Sequence, residues 1–510
     1  MSERIGRSVT GGDQRSEHAA APSRFPPDVE RNGEVMSSAE TSPRALGTGR
    51  LLLLTIVGAS LIGLNLAWLV GGGLDWGSEM TIFLVAGPIG AMFGLLAIVR
   101  FEWFVWTVLL IRPTLDAFPQ VGGVGIGAML AAMFVLVASV WLLTQRRAGE
   151  WTRLSPASSA MLVFASAVGL AIVTSIARVA SVRAALEIVA GIAMFLVLEQ
   201  LLPGRIDRLR RLVAAVLLSA VIPLVVAFQQ WFTGTGATAR SVVPRVYGTF
   251  VHPNPFATYL VLVVILAVTA ALTSAKPMRW ALMIYSGLIV LIVIQTYNRA
   301  GWISLVVALA YIGYRRSKWI LVVLVAAAVA VAVFVPAVSE RFADLSEEKN
   351  LPEGVPQNSL DWRIQYWGEL IPLTAESPVT GIGPQAVLNT RPEGLEPHNI
   401  LVQSVVETGL FGFVALLAVF VGFAVTLSRR RRSARTATEF HLADGAIAAV
   451  ISVFVLVPSE NLLNATMTWW YLAACATWGF ATRRGSRSAE VPRSAADVGP
   501  SAPMTSEVGA

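Results

Sequence analysis

LIVIQTYNRAGWISLVVALA, residues 291–310, sets a Thr-Tyr-Asn-Arg segment between two apolar runs. An arginine at mid-membrane costs roughly 2.5–3.5 kcal/mol on translocon scales, so where Arg299 sits decides what kind of fold the chain has. Asn298-Arg299 is either a short turn between two spans or a break inside one continuous apolar stretch. Both readings bring the guanidinium to a membrane interface. The whole chain supports a membrane setting: of its 510 residues 55% are hydrophobic and only 14% charged, with a mean hydropathy of +0.65. A soluble domain carries about 45–50% apolar residues. Apolar runs long enough for a ~30 Å hydrocarbon core recur from Leu51 to Phe480. They are continuous and do not alternate with period two, which excludes a barrel and predicts helices. The expected fold is all-α, a polytopic helical membrane protein of about 12–14 transmembrane helices with a large outer loop between 337 and 398.

Spans are expected near 51–70, 80–99, 101–112, 124–144, 158–177, 184–202, 211–232, 255–275, 280–297, 300–314, 318–336, 399–427, 444–458 and 463–481. Charge fixes their direction. With residue 50 on the cytoplasmic side, Arg146-Arg147, Arg205 to Arg211, Lys276 with Arg279, Arg315-Arg316 with Lys318, and Arg429 to Arg432 all fall on that side. The opposite face then receives residues 233–254, the Asn298-Arg299 junction and the loop 337–398. Residues 1–50 and 483–510 are polar and read as disordered cytoplasmic tails flanking a membrane domain over 51–482, and the first lacks the apolar region of a signal peptide. The net charge of +7 lies in short clusters between apolar runs, which argues against nucleic acid. The one cysteine, Cys475, excludes an internal disulfide. GGVGIGAML, residues 122–130, lacks the Lys and Ser/Thr of a phosphate loop. No internal repeat favours an inverted-repeat transporter.

Three stretches carry candidate chemistry. In PRVYGTFVHPNPFATYL, residues 244–260, Asn254 can cap a helix whose early turn contains Pro255, with Arg245 and His252 in the loop above it. The bland reading is a Gly-Pro turn with solvated charges. In TYNRAGW, residues 296–302, the fork of Arg299 suits phosphate oxygens; the alternative is snorkelling to lipid headgroups. In GIGPQAVLNTRPEGLEPHNILVQSVVETGLFGF, residues 381–413, Asn399 is placed to cap a long helix on which Asn399, Gln403 and Glu407 form a polar stripe. His398 stands at its mouth, where a neutral imidazole can take a proton from a hydroxyl, and Glu407 could reach it or a neighbouring cation. The alternative is an interfacial histidine above an interhelical hydrogen-bonding stripe. Between these, DWRIQYWGELI, residues 361–371, repeats Arg363, Tyr366, Trp367 and Leu370 at helical spacing. His18 and His441 belong to no cluster, and no zinc-like spacing accompanies His252 and His398, so no metal and no cofactor is expected.

Taken together, GTFVHPNPFA, TYNRAGW, the Arg363–Trp367 helix and the GIGP, PHN and Glu-Thr-Gly run resemble the O-antigen ligase and polymerase superfamily, in order, over roughly residues 210–425. The resemblance implies a metal-independent, inverting glycosyl transfer at the outer face of the cytoplasmic membrane. The donor would be a saccharide on undecaprenyl pyrophosphate, attacked by an acceptor hydroxyl. By position, Arg245, Arg299 and Arg363 would hold the pyrophosphate and His398 would deprotonate or orient the acceptor hydroxyl, supported by His252, Asn254, Asn399 and Glu407. Two departures stand out: Asn298 where the family often has serine, and His252 where it often has asparagine. Ligase and polymerase are equally compatible with these motifs. The rival reading is a transporter or flippase of an anionic solute or lipid-linked glycan, in which the same residues bind without catalysis. A carrier should expose its charged site to both faces in turn, whereas these residues all map to one.

Overall fold

The structure, a computed structural model, describes residues 90–118, 125–237, 244–334 and 359–481. The two expected tails, the span at 51–70, the first half of that at 80–99 and the start of the loop at 337–358 lie outside the described residues. Helices follow one another as α1 (Gly90–Val99), α2 (Phe101–Ile111), α3 (Ile126–Arg147), α4 (Pro156–Val173), α5 (Arg178–Leu201), α6 (Ile206–Ser219), α7 (Val221–Thr233) and α8 (Pro253–Thr273). They continue with α9 (Lys276–Gln295), α10 (Arg299–Arg316), α11 (Lys318–Phe334), α12 (Ser359–Leu370), α13 (Ala386–Thr390), α14 (Ile400–Ser433), α15 (Ala437–Leu456) and α16 (Thr466–Thr477). Among the described residues there is no β-strand, and eight helical stretches are long and apolar enough to cross a membrane: α3, α4, α5, the α6–α7 pair, α8, α9, α14 and α15. The chain is a multi-pass helical membrane protein.

Local chemistry explains where the spans depart from simple rods. The run expected as one span at 211–232 is two helices joined at Ala220, because Pro223 has no N–H and its ring crowds the carbonyl of Ser219 four residues back. The run at 101–112 is an 11-residue helix that passes into a 3-10 turn, Arg112–Ala117, containing Pro113. Helix α14 is broken at Gly409, whose φ of 66° and ψ of −172° are not helical. Its exposed backbone groups are taken up by the loop before it. Ile382 and Gly383 donate to the carbonyls of Val406 and Glu407, while Leu410 and Phe411 donate to Pro378 and Val379. Irregular backbone at such a depth is tolerated only when protein satisfies it in this way. A Cβ on Gly409 would stand 2.3 Å from the Val379 carbonyl oxygen and one on Gly381 2.4 Å from the Glu407 backbone, so both glycines permit the close approach.

Helix α8 runs through the centre, with 83% of its apolar window buried. Helix α14 packs along α4, α10 along α15, and α16 against α5 and α8. At the centre Tyr259 and Tyr471 meet edge to face at 4.7 Å, Tyr259 shares a 2.7 Å hydrogen bond with Ser219, and Trp470 donates to the Ala190 carbonyl. Burying the polar tips of these large aromatics with partners avoids the desolvation cost of an orphaned hydroxyl or indole N–H. The frame gives the bundle two chemically different ends. Helix α10 begins at Arg299 and finishes at Arg315-Arg316, and α14 begins beyond Asn399 and finishes in Arg429 to Arg432. At 1.5 Å per residue, the length of α10 separates its ends by about 27 Å.

Candidate functional site

The three sequence stretches converge at the end of the bundle where α9 stops and α8, α10 and α14 start. The loop before α8 is pinned by Gln230, whose Oε1 accepts from the backbone N–H groups of Tyr247 and Gly248 and whose Nε2 donates to the Gly248 carbonyl. Gly248 takes φ 58°, and a Cβ there would meet the Pro223 carbonyl oxygen at 2.8 Å, so only glycine fits. An isolated bridge between Ala237 and Arg245, and a bond from Val246 N–H to the Gln295 carbonyl, fix the backbone of Arg245. Its guanidinium then donates through Nε to the Thr296 carbonyl (2.8 Å) and through Nη2 to Asn254 Oδ1 (2.8 Å).

Asn254 is not the cap that its position suggests. Pro253 opens α8 at its first position, and His252 is the cap, its Nδ1 accepting from the Asn254 N–H at 3.2 Å. Proline suits the first helical position because that N–H has no intrahelical acceptor and φ is already set. This releases the Asn254 side chain to bind Arg245 and the carboxylate of Glu460. His252, which sequence reasoning left without a firm role, acts as this cap and stands exposed beside Arg245.

The α9–α10 junction is a tight turn and not a break within one helix. Tyr297 adopts φ 49° and its ring meets Trp302 edge to face, while Trp302 Nε1 donates back to the Val293 carbonyl. Asn298 does two jobs. Its Oδ1 accepts from Gly301 N–H (3.3 Å), capping α10, and its Nδ2 donates to Glu460 Oε1 (3.1 Å). Arg299 is the first residue of α10 and half-buried.

On the third side, α12 lays Tyr366 and Leu370 against Ile382, Ala386, Val387 and Val406, a small core that ties the loop segment to α14. Trp367 Nε1 donates to the Pro397 carbonyl (2.6 Å) and Tyr366 to that of Leu395 (2.8 Å), fixing the approach to His398. Arg363 lies on this helix, near enough to both His398 and Glu460 to act on each electrostatically. Asn399 caps α14, accepting from Leu401 N–H (2.9 Å) and Val402 N–H (3.2 Å). Glu407 does not face His398 or a cation: it accepts from Gln403 Nε2 (3.1 Å) on the buried side of α14 that carries the Gly381–Gly383 contact.

Sequence reasoning missed Glu460 and Asn461, in the α15–α16 connection. Residues 459–462 fall between the spans expected at 444–458 and 463–481, and Ser-Glu-Asn between two apolar runs at this end was the available signal. Glu460 is buried at the centre of the cluster, and Asn461 grips His398. Asn461 Oδ1 accepts the His398 backbone N–H (2.6 Å), and its Nδ2 lies 3.0 Å from the ring Nδ1. Burial pushes the Glu460 carboxyl up to about 7, against the pull of Asn298, Arg363, Asn254 and Arg245. Burial, with the Arg363 guanidinium and His252, lowers His398 to about 4, so its ring is neutral at physiological pH. Burial also lowers Arg363 from its usual value, with Glu460 opposing the shift. The cluster thus assembles the guanidiniums of Arg245 and Arg363, two imidazoles and one carboxyl, with Arg299 opening α10 next to Asn298. No group of three or more His, Cys, Asp or Glu side chains that could hold a metal occurs among the described residues. Such an array can bind a polyanion and donate hydrogen bonds to its oxygens.

Residues 284–417 match the family model described as O-Antigen ligase. The matched stretch runs from within α9 to within α14 and contains Asn298, Arg299, Arg363, His398 and Asn399; Arg245, Asn254, Glu460 and Asn461 lie outside it and reach the same cluster through the fold. No curated protein matches the chain. Over that stretch, about a quarter of the chain, the protein is similar to the O-antigen ligase family.

Proposed function

We propose that this protein is a member of the O-antigen ligase superfamily and transfers glycan from a polyprenyl-pyrophosphate-linked donor to an acceptor hydroxyl, at the outer face of the cytoplasmic membrane, with inversion and without a metal. What supports the reading is that Arg245 and Arg363 both act on Glu460 beside His398, with Arg299 the first residue of α10 at the same helix mouths. Arg245 is aimed by the Thr296 carbonyl and the Asn254 amide. In the reaction the acceptor oxygen forms a bond to the anomeric carbon as the bond from that carbon to the phosphate oxygen breaks, with its electron pair passing to the pyrophosphate. Preorganised guanidiniums stabilise that growing charge most in a partly dry site. His398, at the rim of the guanidinium cluster, serves the reacting oxygens.

The test is transfer by purified protein from a defined polyprenyl-pyrophosphate saccharide. Arg299→Ala and His398→Ala should each lower transfer by about a hundredfold or more while inserting normally. Near wild-type transfer by Arg299→Ala protein sinks the assignment, and a solute flux with unchanged glycans would show a carrier. The lipid-linked intermediate left in a deletion strain separates the two enzymatic forms, since full-length polymer marks a ligase and single repeat units a polymerase.

A further inference from the structure

His398 is held more firmly than a loop residue needs to be. Its backbone takes φ 51°, a left-handed conformation uncommon for any residue other than glycine. Three hydrogen-bonding contacts impose it: Trp367 on the Pro397 carbonyl, Asn461 Oδ1 on the His398 N–H, and Asn461 Nδ2 on the ring Nδ1. The last two fix the chemistry of the ring. A backbone N–H can only donate, so the oxygen end of the Asn461 amide must face it, and the NH2 end must face the imidazole. That NH2 can only donate, so Nδ1 accepts and a neutral ring carries its proton on Nε2.

Building on the glycosyl-transfer reading above, we propose that Asn461 is a positioning residue that locks His398 as an Nε2–H donor to an oxygen of the departing pyrophosphate, and that His398 is not the base for the acceptor hydroxyl. A base at Nε2 needs its proton on Nδ1, and Asn461 places a donor there instead. The charged groups around the ring agree. Arg363 from α12 and His252 from the mouth of α8 both oppose an imidazolium, and Glu460, the nearby carboxyl of the cluster, is held by Asn298 and Asn254. The proton balance closes without a protein base. As the acceptor oxygen bonds to the anomeric carbon its proton leaves through water, and the released terminal phosphate, with a second ionisation near 6, takes it up. A neutral imidazole donating to developing negative charge is an established way to use histidine.

Three measurements on the full-length protein test this. In Asn461→Asp, one carboxylate oxygen accepts the backbone N–H and the other an Nδ1–H, which moves the proton off Nε2. At saturating donor this variant should transfer roughly a hundredfold more slowly than wild type at pH 8 and recover on acidification, when the imidazolium again carries Nε2–H. His398→Gln, which keeps an N–H near the Nε2 position, should exceed His398→Ala by about tenfold or more. Nitrogen-15 histidine spectra, assigned by difference from His398→Gln, should show His398 with no proton on Nδ1. An Nδ1–H signal in wild type overturns the proposal, as does an Asn461→Asp variant that equals wild type at pH 8 and loses transfer on acidification. The spectrum reports on Asn461 even if the wild-type protein transfers no glycan, which would sink the functional reading instead.

Discussion

Each end of the bundle buries a carboxylate among arginines, Asp444 at one and Glu460 at the other, and uses it in the opposite way. At the basic end Asp444 of α15 receives Arg316 from α10 and Arg431 from α14 directly, the latter at 2.7 Å, with Phe440 5.2 Å and 6.0 Å from the two guanidiniums. Charge is matched there by contact, and three helices are pinned together. At the other end Glu460 accepts from an amide, Asn298, and Arg245 is aimed by the Thr296 carbonyl and the Asn254 amide. Amides and carbonyls direct charged groups without cancelling them. The same residue types therefore make a structural staple at one end and, in the function proposed above, an anion-binding site at the other.

The largest effect is expected from breaking the staple. Asp444→Ala leaves two guanidiniums, 17% and 30% exposed, without their carboxylate, a change that costs about 1–3 kcal/mol. The yield and thermal midpoint of the purified protein should fall sharply, while transfer per folded molecule stays within about twofold of wild type. A stable Asp444→Ala protein that had lost its activity would overturn the distinction between the ends.

Glu460→Gln should do the reverse, leaving folding nearly intact and altering how the site depends on pH. Glu460 is held up to about 7, so it gains a proton as pH falls from 8 to 6, and the cluster becomes more positive. The proposed donor, a pyrophosphate diester, is fully ionised across that range. His398, at about 4, and His252, pushed below its usual value by partial desolvation of its ring and by Arg245, both titrate lower. Donor affinity should rise up to about tenfold on acidification in wild type, and be flat and high in Glu460→Gln. A wild-type affinity independent of pH would show that Glu460 does not act on the ligand.

Much of this was legible in the sequence, for identifiable reasons. Span positions follow from hydropathy, since the bilayer demands long apolar runs, and the described helices reproduce the expected runs from 101 onward apart from the α6–α7 division. Arg299 stood out because charge inside an apolar context is costly and needs a reason, whereas Arg245, Arg363 and His398 stood out through their places in motifs resembling the O-antigen ligase superfamily. Glu460 and Asn461 did not, because their meaning comes from partners 162 and 63 residues away, a pairing no local pattern encodes. The capping of α8 was misplaced by two residues because Asn254 and His252 both precede a proline, and only the fold shows which side chain Arg245 recruits. Glu407 was assigned to the site from helical period alone, which gives a face but not what packs on it.

Asn298 joins the two halves of the comparison, because one side chain both caps a helix and holds the carboxylate. At the basic end those jobs are separate: Thr436 caps α15 in a reciprocal bond with Glu439 and touches no charged site, so Thr436→Ala should cost about 1 kcal/mol and nothing in transfer. Asn298→Ser, the residue the family often carries, isolates the other job. Serine caps a helix start about as well as asparagine, so stability should move by only a few tenths of a kcal/mol from the cap itself. Its hydroxyl is too short to replace the 3.1 Å bond from Nδ2 to Glu460 while also capping. Losing that donor removes an influence that holds the Glu460 ionisation down, so the midpoint of the donor-affinity curve should shift to higher pH. An unchanged midpoint would reduce Asn298 to a cap like any other, and the polar hold on Glu460 would then rest on Asn254 and the neighbouring guanidiniums.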